Sequence, residues 1–143
     1  MSTIMAIPNA TGAPGYTSDL PCNPKSVQPA RRLVAEVLRT WGVPDSADVA
    51  ELVVSELLTN SINHTACAWA KVVVELRQGS IVRIGVADGS HASPHLRTTA
   101  ETAERGRGLF LVDAVCWRWG YDLHGWGKVT WAEVQVPAAD KSR

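Results

Sequence analysis

Residues 70–88 constrain the fold more than any other part of the chain. Val72, Val74 and Leu76 alternate with Lys71, Glu75 and Arg77. Beyond Gln78-Gly79-Ser80, Val82, Ile84 and Val86 alternate with Arg83 and Gly85. A period of two marks strands, and the short polar joint between the two runs marks a hairpin. Clean alternation gives one face of a sheet to a core and leaves the other largely open. Strands are therefore expected over 70–77 and 81–88, and other segments must cover one face of them.

Two upstream segments have the period to do so. From Ser26 to Trp41, the residues Val27, Ala30, Val34, Val37, Leu38 and Trp41 recur at spacings of three and four, which predicts a helix, and Gly42 followed by Pro44 ends it. A second helix is expected from Asp45 or Ser46 to about Thr65, with Asp45 and Asp48 in a capping-box arrangement. Its apolar face is Ala50, Val53, Val54, Leu57, Leu58 and Ile62. A third helix is expected from Arg107 to Trp117 on Leu109, Phe110, Val112, Ala114 and Val115. Tyr16–Leu20 reads as an edge strand. Two more strands, about 119–124 and 129–136, flank Gly125-Trp126-Gly127-Lys128.

About three helices on one face of a mixed, mostly antiparallel sheet make a two-layer α/β sandwich. The chain of 143 residues suffices for one such domain. Its expected extent is 15–137, between an N-terminal tail (1–14) and a C-terminal tail (138–143). Residues 89–105, polar apart from Leu96 and a few alanines, form an unusually long connection of the kind used as a lid or binding loop.

Charge and cysteine usage narrow the function. Lys+Arg and Asp+Glu both number 14, and a net charge of zero argues against direct nucleic-acid binding, which relies on phosphate neutralisation. The three cysteines are widely spaced and form no C-x-x-C, so free thiols in a reducing, cytoplasmic setting are expected. No apolar run is long enough to span a membrane, and no secretory signal is apparent at the start.

Several polar residues interrupt this pattern. At about 100° per residue, Glu56, Asn60 and Asn63 fall within roughly a 60° stripe beside the apolar face of the second helix. Such a seam is either a solvated helix side or a binding edge. Asp88 follows Val82, Ile84 and Val86 on the inward face of its strand. A buried carboxylate needs a partner, which is either a following turn or a ligand. Thr130 sits inward among Ala132, Val134 and Val136, as an ordinary strand residue or a site residue. Arg105-Gly106-Arg107-Gly108-Leu109 opens the third helix, where glycines expose backbone N–H groups and the helix end favours an anion. A plain turn uses the same residues.

Taken in order, these pieces resemble the GHKL (Bergerat-fold) ATPase superfamily: a helical Glu-x-x-x-Asn, a strand ending in Asp, a polar lid, G-x-G at a helix start and an inward Thr. Within it, "VVSELLTNSINHT", "VRIGVADGS", "RGRGLFLVDAVCWRWG" and "GKVTWAEV" look like the small single-domain anti-sigma-factor serine/threonine kinases. The resemblance implies the histidine-kinase-like ATPase fold and ATP and Mg²⁺ as cofactors. Glu56 matches the catalytic carboxylate, Asn60 the Mg²⁺ ligand, and Asp88 the acceptor for the adenine amino group. Gly106, Arg107, Gly108 and Leu109 match the phosphate loop, and Thr130 a water-linked adenine contact. Arg105 and Arg107 are further candidates for phosphate contacts. The chain departs from the superfamily's D-x-G-x-G, reading Asp88-Gly89-Ser90-His91-Ala92.

The resemblance implies a protein kinase that binds a sigma factor and phosphorylates an antagonist protein on serine or threonine, with a homodimer as a further expectation. The alternative is a non-catalytic switch, in which ATP orders the lid and controls a protein-binding surface. Val129 and Trp131 on the open sheet face are candidate contacts for such a partner.

Overall fold

A computed structural model of the protein describes residues 7–8, 15–64, 68–77, 80–91, 112 and 115–137. Its strands are β1 (Ile7–Pro8), β2 (Gly15–Pro21), β3 (Trp69–Arg77), β4 (Ile81–Asp88), β5 (Arg118–His124) and β6 (Gly127–Gln135). Its α-helices are α1 (Val27–Thr40) and α2 (Ala47–His64). The strands form one sheet in the order β1-β2-β3-β4-β6-β5. The expected mixed sheet is antiparallel at every described pairing. Two α-helices are described where about three were expected. The third, over 107–117, lies mostly outside the described residues, although Val112 and Val115 are helical.

α1 forms where the spacing requires it and buries Ala30, Val34, Ala35, Val37 and Leu38. It stops at Gly42, whose φ of 78° suits a residue without a Cβ. There Val43 N donates to Leu38 O and Gly42 N to Arg39 O, both at 3.0 Å. This double closure satisfies the last helical carbonyls, and it is locked by burial of Leu38 and Val43 together. A 3-10 turn over Pro44–Ser46 leads into α2, which starts at Ala47, slightly later than expected.

α2 lies on β4, β6 and β3, and α1 packs along α2 and reaches β3. Val53, Val54, Leu57 and Leu58 of α2 meet Val72 and Val74 of β3, Val82, Ile84 and Val86 of β4, and Ala132 and Val134 of β6 in one core. Each fully buried Val, Leu or Ile contributes about 1.5–3 kcal/mol. Arg31 ties the two helices at their solvent edge, donating to Ser55 Oγ at 2.7 Å and Glu51 Oε1 at 3.2 Å. Helices therefore cover one face of the sheet, as the alternation requires. The inward residues at the C-terminal end of β4 lie beyond the apolar core, and there the polar residues gather.

Candidate functional site

Asp88 is the last residue of β4 and continues the inward row of Val82, Ile84 and Val86. It has no solvent exposure, so its pairing requirement is absolute, and three residues meet it. Ser61 Oγ donates to Oδ2 at 2.7 Å, and Ser90 N to Oδ1 at 2.9 Å. Lys128 Nζ lies 3.0 Å from Oδ1 and 3.2 Å from Oδ2. Of the two partners expected for Asp88, the following turn is present, since the carboxylate caps it at Ser90 N while facing inward from the sheet.

The sequence pattern does not single out Lys128, yet its ammonium meets Asp88. It opposes Asp88 directly in the β4–β6 register, and it is only 2% exposed. Lysine is seldom buried without a partner. A signal was available, because Lys128 shares the parity of Thr130, Ala132 and Val134 on the inward face of β6. An inward Lys two residues before an inward Thr asks for a buried anion, and Asp88 was the inward anion. What the sequence did not contain was the adjacency of β4 and β6, which skips β5.

Thr130 is buried in the same inward row and opposes Val86. It is therefore a diagonal neighbour of Asp88 across the two strands. The turn between β5 and β6 is pressed onto this end of the sheet. Gly127 has φ of 153°, and a Cβ on it would overlap the Asp88 carbonyl oxygen and approach Gly89 Cα at 2.7 Å. Only glycine fits. Beside it, the His91 ring nitrogen Nε2 lies 2.9 Å from His124 O and 3.1 Å from Gly125 O, so it donates to the turn's carbonyls. Trp126 stacks on His124 at 4.9 Å and approaches Trp69 at 6.3 Å, giving the end of the sheet an aromatic rim.

α2 brings the helical candidates to the same end. Ser61 touches Asp88, and Asn60 precedes it on α2. Asn60 and Glu56 are half-buried and one turn apart on α2, whereas Asn63 is exposed. The seam is thus partly covered at Glu56 and Asn60 and solvated at Asn63. Burial pushes the Glu56 carboxyl above its ordinary value, and the nearby Arg31 charge opposes that rise without cancelling it. A carboxylate raised in this way is a better proton acceptor than an exposed one.

Arg105, Gly106, Arg107, Gly108 and Leu109 lie outside the described residues, as does the polar stretch beyond His91. Among the described residues no cluster of His, Cys, Asp and Glu has the make-up of a metal site. Cys22 and Cys116 are both half-buried. No described helix is long and apolar enough to cross a membrane.

Val129 and Trp131 are both half-buried on the open face. The Arg83 guanidinium lies 4.0 Å from the Trp131 ring centroid, and that of Arg118 lies 5.5 Å from it. Below them, Glu133 is buried and receives Arg83 Nε at 2.8 Å and Arg118 Nε at 2.6 Å.

The family described as histidine kinase-like ATPase domain matches residues 20–133. That span runs from the end of β2 to Glu133 in β6 and contains every candidate site residue, described or not. No curated protein gives a significant match.

Proposed function

The chain belongs to the histidine kinase-like ATPase family, and on that premise we propose that it binds Mg·ATP at the Asp88 end of the sheet and acts as a serine/threonine protein kinase of the anti-sigma-factor type. The observation that carries the proposal is a wholly buried carboxylate at the C-terminal end of β4, joined through Ser61 to the helix that bears Glu56 and Asn60. A buried acceptor of this kind suits a purine amino group and disfavours a base that presents a carbonyl oxygen at that position. The donor set fits the group: one buried acceptor for the base, one amide oxygen for the cation, and one carboxylate of raised pKa for the hydroxyl.

Bound Mg·ATP supplies the phosphoryl group and the neutralisation of its charge. Asp88 accepts from the base, with Thr130 beside it on β6. Asn60 presents its side-chain oxygen to Mg²⁺. Glu56 takes the proton of the attacking serine or threonine hydroxyl of an antagonist protein and orients that hydroxyl. A sigma factor and the antagonist are the proposed partners, and two copies of the chain the proposed assembly. Arg105, Gly106, Arg107, Gly108 and Leu109 are proposed as the phosphate loop.

Calorimetric titration with Mg·ATP and Mg·GTP tests the site: preferential binding of Mg·ATP is expected. Radiolabel transfer from ATP to an antagonist tests the chemistry: label stable to acid and lost in strong base is expected, and Glu56→Gln abolishes it. Nucleotide binding with transfer absent in the wild type, or unchanged by Glu56→Gln, refutes the kinase and leaves the non-catalytic switch.

A further inference from the structure

The Asp88 cluster contains something that adenine recognition does not require: a second buried charge of opposite sign. An ionised carboxylate has about four lone-pair directions. In this protein Lys128 Nζ takes one on each oxygen, Ser61 Oγ one on Oδ2 and Ser90 N one on Oδ1. The acceptor capacity of Asp88 is therefore full before any base arrives.

The four contacts are not equally able to give way. Ser61 is fixed by α2, and Ser90 N is a backbone group in the turn that follows β4. Lys128 alone reaches Asp88 on a flexible four-carbon stem with a rotatable ammonium. Among the described residues both of its polar contacts are to the Asp88 carboxylate.

We propose that Lys128 is a built-in competitor for the nucleotide base. Its ammonium occupies the acceptor positions that the 6-amino group of adenine requires, and the base binds Asp88 by displacing it. This rests on the reading of Asp88 as the base acceptor and adds a determinant of affinity and specificity to it. The hydrogen bond gained with the 6-amino group is offset by the ion pair lost, so the wild-type protein binds weakly and distinguishes poorly between purines with and without that group. Replacing Lys128 by a residue that cannot donate frees the acceptor and restores the distinction.

The test is calorimetric titration of the wild type and Lys128→Met with Mg·ATP and with the Mg complex of purine riboside triphosphate, which lacks the 6-amino group. The wild type is expected to bind the two nucleotides within about threefold of each other, and Lys128→Met to bind ATP about tenfold more tightly than the wild type does, the effect of one hydrogen bond to a charged acceptor. Its affinity for the analogue should stay within about threefold of the wild type's. A folded Lys128→Met protein whose ATP affinity is unchanged or lower overturns the proposal. So does a wild type that prefers ATP over the analogue by about tenfold or more, a comparison that stands even if the variant does not fold. Absence of binding of either nucleotide to either protein overturns the Asp88 reading itself, an outcome distinct from binding that is indifferent to Lys128.

Discussion

The Trp131 indole lies flat over Gly120, its direct partner across the β5–β6 pair, so closely that a Cβ on Gly120 would stand 2.9 Å from Trp131 Cζ2. The glycine leaves a recess in the open face of the sheet, and the aromatic ring fills it. Gly120→Ala is expected to push the ring out of the recess and away from the Arg83 guanidinium, destabilising the protein by about 1–3 kcal/mol. Thermal unfolding checks this, and an unchanged midpoint would show that the ring accommodates the methyl group without cost.

Glu133 carries the acid sensitivity of that face. Burial by itself raises its carboxyl, but hydrogen bonds from Arg118 and Arg83, aided by their charges, outweigh burial and hold it below 4.5. A folded-state value below the unfolded one stabilises the protein above about pH 4.5, and that contribution disappears as pH falls through the lowered value. Glu133→Gln should therefore unfold with a flatter dependence on pH below 4.5 than the wild type. Arg83→Gln should cost more stability than Arg118→Gln, because the Arg83 side chain is 20% exposed and that of Arg118 is 54%.

Glu56 has the opposite sign. Its folded-state carboxyl is raised by burial, so the stability linked to its protonated form is present below the unfolded value near 4.5 and is lost as pH rises through the raised one. At neutral pH the ionised group is a burden to the fold. Glu56→Gln is expected to be inactive in phosphoryl transfer yet at least as stable as the wild type at pH 7. Transfer by the wild type should rise with pH along a limb set by Glu56, and Arg31→Met should move that limb to higher pH by removing the charge that opposes the shift. A pH–rate profile compared with a denaturant titration reads both effects.

Asp88 and Lys128 should fail the additivity test. Asp88→Asn alone strands a buried ammonium, and removing one partner of a buried pair costs about 3–5 kcal/mol. The double variant Asp88→Asn, Lys128→Met removes both charges and should recover most of that loss. Urea unfolding of the single and double variants measures the coupling. A double variant as unstable as the sum of the two singles would show that the pair does not act as a unit.

Much of this protein can be read before folding it. The alternation around Gln78-Gly79-Ser80 predicts β3 and β4 nearly residue for residue, and the spacing of Ala30, Val34, Val37 and Leu38 predicts α1 with its stop at Gly42. These succeed because the periods of helices and strands are local properties. Asp88 was visible as an inward carboxylate for the same reason. Lys128 escaped because its meaning depends on β4 lying beside β6, a pairing between segments far apart in sequence that no local period encodes. At Trp131 of β6, alternation shows that the residue points outward but not that Arg83, Arg118 and Gly120 will pack against it.

The strand order has a consequence for the order of events during synthesis. β3 and β4 are three residues apart in sequence and β5 and β6 two, so each pair can form as soon as its own residues are available. The join between β4 and β6 is different, because Asp88 and Lys128 are separated by 40 positions and meet only after β5 has been made and passed over. Contacts across such separations are slow to form. A chain still being elongated therefore carries Asp88 without its cation until residue 128 has been added, and the pocket is among the last parts of the molecule to come into being.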